Sequence, residues 1–215
     1  MKHKLLILIF SLLLIVGCKK NEVETTSMPE FYNGTFEVKI NDSLITPTWG
    51  TVSNEFGLFP NINGTDSAGF DFGSSYYGFK QKYGISIHFF SHLPNNSLIH
   101  TSNGQELSNT SFSQLFNMGS HSFTYLAFLN GGVIVTWYDD KGVRWSSGKY
   151  KVTDTIPLTH PNYSLNNFVI NYSNSESNQV NYKQRVQASF NCWVYNASGD
   201  SLLLEDAKFN GIFEY

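Results

Sequence analysis

The eleven residues VQASFNCWVYN, Val186 to Asn196, alternate apolar and polar side chains with a period of two. Val186, Ala188, Phe190, Cys192 and Val194 fall on one side, and Gln187, Ser189, Asn191, Trp193 and Tyr195 on the other. Successive side chains of a strand point to opposite faces, so this run buries its apolar set only as part of a sheet. A helix would scatter the same residues around its circumference. The stretch therefore commits the chain to a sheet with a covered inner face. It places Cys192 on that face, as a small buried hydrophobe.

The same period recurs along the chain. TFEVKI carries Phe36, Val38 and Ile40, and YGISIHFF carries Ile85, Ile87 and Phe89. SFTYLAFLNGGVIVTWYDDKGVRWSS reads as a three-strand meander, its runs separated by turns at Asn130-Gly131-Gly132 and Asp139-Asp140-Lys141-Gly142. FVINYS follows at 168–173, and a turn at Asn196 to Asp200 leads into closing strands through SLLLE and AKFNGIFEY. One short helix is expected over Ser111–Phe116, capped by Asn109 or Thr110, with Phe112, Leu115 and Phe116 as its apolar side. Segments 53–78 and 153–166, rich in Gly, Asn, Ser and Pro, read as loops or irregular edge strands. Aromatics at 16% against 14% charged residues favour strands over helices. The expected fold is an antiparallel β-sandwich of about eight to ten strands with one short helix near 111–116, because half-apolar sheets must cover each other's inner faces.

The N-terminus reads differently. A short basic head (Lys2, His3, Lys4) precedes thirteen mostly apolar residues, Leu5 to Gly17. A membrane-spanning helix needs about 20 apolar residues, so this run reads as a signal-peptide core. Ile15-Val16-Gly17-Cys18 resembles the lipobox of bacterial lipoproteins, which implies that the Cys18 thiol is lipidated before cleavage in front of it. KKNEVETTSMPE, residues 19–30, is polar and lacks an apolar period, as expected of a flexible tether. Lys19 is not the aspartate that retains enterobacterial lipoproteins in the inner membrane, so the expected location is the outer membrane. The run Lys20-Asn21-Glu22-Val23-Glu24 resembles the lysine-plus-acidic surface-export signals of Bacteroidota lipoproteins. From Phe112 onward, FNMGSHSF, YDDKGVRWSS and FNCWVYNASGDSLLLEDAKFNGIFEY are similar to uncharacterised Bacteroidota lipoprotein families with β-sandwich domains. That resemblance implies a fold and a location and brings no activity. The domain division that follows is a signal peptide at 1–17, a lipidated tether at 18–30 and one β-sandwich domain at 31–215.

Lys2 and Lys4 leave with the first 17 residues, so the 14 basic residues fall to 12 against 17 acidic ones, a net charge of −5. No basic block stands anywhere, which argues against nucleic acid as a partner. With Cys18 lipidated, Cys192 has no cysteine left to pair with.

Chemistry-bearing patterns are sparse. His88 and His92, in HFFSH, share a strand face but lie about 13 Å apart at about 3.3 Å per residue, too far for two ligands of one zinc. There is no HExxH, no cysteine cluster, no EF-hand loop, no GxSxG and no phosphate-binding glycine loop. Asp139 and Asp140 suit a hairpin turn better than a calcium site. No metal or cofactor is expected. The aromatic excess alone has binding character: Trp193 and Tyr195 on the polar face of their strand, and Trp137 and Trp145 flanking the Asp139–Gly142 turn. Outward aromatics of this kind stack on sugar rings, as in carbohydrate-binding modules, and serve protein contacts equally well. The expected function is a non-enzymatic accessory or binding role in the cell envelope, toward a glycan or an envelope protein. The alternative is an envelope hydrolase acting on glycans or peptides.

Overall fold

The computed structural model describes residues 35–46, 50–59, 67–78, 83–94, 98–101, 104–126, 131–149, 154–155, 165–176 and 182–215. The lipobox with Cys18 and the tether lie outside them. The strands are β1 (Thr35–Ile40), β2 (Ser43–Ile45), β3 (Gly50–Phe59), β4 (Ser67–Gly78), β5 (Gly84–Pro94), β6 (Leu98–Thr101) and β7 (Gly104–Leu107). After the helix α1 (Asn109–Gln114) come β8 (Gly119–His121), β9 (Gly132–Tyr138), β10 (Arg144–Ser146), β11 (Asn167–Ser175), β12 (Lys183–Tyr195) and β13 (Ser201–Glu214).

All named strands pair antiparallel. Eleven form one sheet in the order β2-β1-β13-β12-β10-β9-β5-β4-β3, with β11 pairing β12 and β8 beyond it, while β6 and β7 make a separate hairpin. The sheet doubles over at the Ser146–Tyr195 pair, where β10 meets the end of β12. This gives two layers, β2-β1-β13-β12-β11-β8 and β10-β9-β5-β4-β3. Their inner faces pack together as an all-β antiparallel sandwich. Eight of the thirteen strands are six residues or longer.

The core follows from the alternation. Val186, Ala188, Phe190, Cys192 and Val194 are all buried, with Phe36, Val38, Phe209 and Phe213 beside them on the first layer. Phe70, Phe72, Ile85, Ile87, Phe89 and Val135 answer from the second. Rings cross between layers, Phe89 to Phe213 at 5.1 Å and Phe36 to Trp137 at 5.8 Å. Burying each such side chain contributes about 1.5–3 kcal/mol, which is how two half-apolar sheets become one stable unit.

The helix sits two residues earlier than expected, because Ser108 supplies the cap: its Oγ accepts the Ser111 N–H at 3.0 Å. Phe112 on the helix and Phe116, just past its Leu115 C-cap, both turn into the core. Phe112 meets Phe72 edge-on at 5.1 Å, and Phe116 stacks on Phe213 at 4.8 Å.

Three expectations need correction. Segment 53–78 holds two long strands, and β4 is paired on both sides, with Phe70 and Phe72 in the core. SLLLE and AKFNGIFEY are one strand, β13, interrupted by a bulge. The meander keeps its β9–β10 hairpin, but the residues before it give β8 and then a parallel bridge from Phe123 to Val133. Thr124 N–H donates to Val133 O at 2.9 Å there. Most of 153–166 lies outside the described residues.

The second layer also buries polar side chains on the face turned away from the core. Ser75, Ser86, Thr136 and Ser146 form a cross-strand row. Ser75 Oγ lies 2.8 Å from Ser86 Oγ, and Thr136 Oγ1 lies 3.3 Å from Ser146 Oγ, so the hydroxyls satisfy one another. The chain at 147–149 crosses here so closely that a Cβ on Gly148 would stand 2.5 Å from Thr124 O.

Candidate binding groove

A groove of about 460 Å³ crosses the outer face of the first layer. It exists because the strands there bend. Glu37 pairs with Lys208 and Lys39 with Glu205, so Asp206 and Ala207 together oppose the single residue Val38. The β12–β13 ladder slips at the same level, between Phe190 and Cys192, and β11 slips between Ile170 and Tyr172. Bulges sharpen the local twist, and those in β13 and β11, on either side of β12, hollow the face. Asp206 takes φ of 47°, a left-handed conformation that aspartate tolerates better than most residues.

Side chains of the groove hold one another in place. Asn191 Oδ1 accepts the Asp206 N–H at 2.7 Å, which satisfies the bulge's own backbone donor. Asn167 Oδ1 in turn accepts the Asn191 N–H at 2.8 Å. Ser189 Oγ accepts from Asn171 Nδ2 at 2.9 Å. Across β1 and β13, Lys39 Nζ donates to Asp206 Oδ2 at 2.6 Å, and Lys208 pairs with Glu37. The hydrogen bond from Lys39 holds the Asp206 carboxyl below the usual carboxylate range, and Asp206 raises the Lys39 ammonium above the usual lysine value. Leu44 and Val169 supply apolar wall.

No family model, curated protein or solved structure matches this chain.

The four aromatics singled out from sequence do not form a common surface. Trp193 is partly exposed on the outer side of β12, on the same side as Asn191, and its backbone N–H donates to Asn166 Oδ1 at 2.7 Å. Tyr195 is only 4% exposed, because β12 is joined at that residue by β10. Trp137 is 1% exposed, between Phe36 and Tyr83 in the core. Trp145 is its cross-strand partner, packed against that core, and its Nε1 donates to Asp139 Oδ2 at 3.2 Å. Tyr195 and Trp137 are therefore corrected from ligand candidates to packing residues. Asp139 is a turn residue as expected, its Oδ1 accepting the N–H groups of Lys141 and Val143 at 2.9 and 2.8 Å.

Cys192 is fully buried, and burial pushes its thiol pKa well up. His88 is buried while His92 is exposed. His88 Nδ1 lies 2.8 Å from Asp71 Oδ1 and its ring stacks on Phe90, a pairing that sequence spacing alone does not display. That pair lies on the outer side of the second layer, away from the groove. Among the described residues, no three His, Cys, Asp or Glu side chains are placed to hold a metal ion.

Sequence reasoning missed the groove because β1, β2, β11, β12 and β13 each give it only one to three residues. One signal was present: the apolar alternation of β13 breaks at Glu205-Asp206, where the bulge lies.

Proposed function

We propose that this chain is a lipid-anchored protein of the bacterial cell envelope whose β-sandwich works by binding a ligand in the outer-face groove. The lipobox and the polar tether support anchoring through Cys18, and the similarity to Bacteroidota lipoproteins supports the outer membrane. A glycan or an envelope protein is the partner class, and nucleic acid is disfavoured by the acidic balance. The observation that carries the binding role is the pairing inside the groove. Both of its carboxylates, Glu37 and Asp206, are engaged by lysines. A catalytic acid or base needs a carboxyl poised to exchange a proton near neutral pH, and the Lys39 contact moves Asp206 the other way.

Two measurements test this. Cys18→Ser should abolish palmitate labelling and leave uncleaved precursor, whereas normal labelling and processing would end the anchoring proposal. For the groove, the full-length protein in detergent is melted with neutral oligosaccharides, acidic oligosaccharides and peptides. At least one class should raise the melting temperature of the wild type and not of Ser189→Arg, whose longer side chain fills the groove. Equal shifts in both proteins would remove the groove as the site.

A further inference from the structure

We infer that the groove takes an uncharged oligosaccharide, read by amide and hydroxyl groups of β11 and β12. The inference rests on the groove being the binding site. Its four charged side chains, two lysines and two acids, cancel as two ion pairs within the groove itself. A charged ligand would have to displace one of those internal partners. A neutral polyol does not.

The donors are fixed in advance. Asn167 and Asn191 each commit Oδ1 to a backbone N–H of the neighbouring strand. An amide has two donor hydrogens besides that acceptor, and among the described residues nothing takes the Nδ2 of either asparagine. Ser189 accepts from Asn171 and retains its own proton to donate. Sugar hydroxyls accept and donate at once, so one hydroxyl satisfies an Nδ2 donor and the remaining oxygen of a carboxylate together. Leu44, 61% exposed, and Val169 offer apolar surface for the C–H face of a ring. Trp193 stands two residues beyond Asn191 on the same side of β12, about 7 Å along the strand, where it extends that surface.

A bound peptide fits less well. Extended peptides gain most of their affinity by pairing with a free strand edge. β1, β13 and β12 are each paired on both sides, and of the groove's strands only β2, three residues long, ends the sheet on the β1 side, so the groove presents side chains and too little free edge to pair an extended peptide. Its volume lies within the range of about 300–1,000 Å³ common to small-ligand sites.

The test is calorimetric titration of the full-length protein in detergent with maltohexaose, cellohexaose, mannohexaose and xylohexaose, beside hexagalacturonate and a Gly-Ser-Ala hexapeptide. Asn167→Asp and Asn191→Asp keep the Oδ1 acceptor that clamps the neighbouring strand and replace only the outward donor. At least one neutral oligosaccharide should bind, with an affinity little changed from about 50 to about 500 mM salt. The double Asp variant should bind it at least about tenfold more weakly at an unchanged melting temperature. Ser189→Ala gives a second reading should the Asp variants melt early, and it too should weaken binding. Absence of neutral-sugar binding, or undiminished binding by all three variants, overturns the inference. Preference for hexagalacturonate or the peptide overturns it as well, while leaving the groove as a site for another ligand.

Discussion

Lys39 and Asp206 meet across β1 and β13 with Nζ 2.6 Å from Oδ2, while 47% and 62% of their side chains stay open to water. Water screens such a pair, so it adds little to stability and mainly sets the charge of the groove. The Asp206 carboxyl is held down by the Lys39 hydrogen bond, so its contribution is present above the unfolded aspartate pKa of about 3.9 and disappears as pH falls through the lower folded value. Lys39 is raised, so its contribution is complete below about 10.4 and is lost as pH rises through the higher folded value. Between those limits the pair is insensitive to pH. Carboxyl carbon titration should give Asp206 a midpoint below the usual range, returning to it in Lys39→Gln. An identical midpoint in both proteins would show that the pair does not form.

Asp139 accepts three hydrogen bonds that organise the β9–β10 hairpin, from Lys141 N, Val143 N and Trp145 Nε1. Asp139→Ala leaves all three donors to water or to nothing. A loss of about 1–3 kcal/mol is expected, read from thermal or denaturant unfolding. The Trp145 indole N–H resonance should move at the same time. No change in either would mean that the turn is held by its backbone alone.

Cys192 faces the core and burial disfavours its thiolate. Thiol reagents should therefore label the folded protein at Cys192 only after denaturant is added. Cys192→Ser places a hydroxyl in an apolar site and should destabilise by about 1–3 kcal/mol. Rapid labelling of the native protein would mean that the β12 register is shifted by one residue.

Trp137 and Trp193 separate packing from surface. Trp137→Ala should cost about 3–5 kcal/mol, since it empties a fully buried site. Trp193→Ala, from a partly exposed site, should cost about 1–2 kcal/mol. Iodide should quench Trp193 before Trp137. The reverse order of stability losses would exchange their assigned environments.

How far the fold was legible depended on which face of a strand was in question. The inner face of β12 was read residue by residue, because a period of two in one half-buried strand specifies what points inward. Tyr195 and Thr136 were not legible. Alternation says which side a residue takes and is silent on whether that side is later covered, as it is where β10 meets β12 and where 147–149 crosses Ile134. Polar β4 was misjudged for the same reason: its Ser75 is buried with a hydrogen bond to Ser86 of β5 that sequence does not display. The groove arises only when strands distant in sequence are laid side by side, and the Asp71–His88 contact only when the β4–β5 register is known.

The most direct test of the groove as the functional surface is to watch its asparagine amides. In the full-length protein, the side-chain NH₂ resonances of Asn167 and Asn191 should shift together on titration with the neutral oligosaccharide that binds best, and signals near Asp71 and His88 should stay still. Shifts confined to the second layer, or binding that leaves both amides unmoved, would contradict the account.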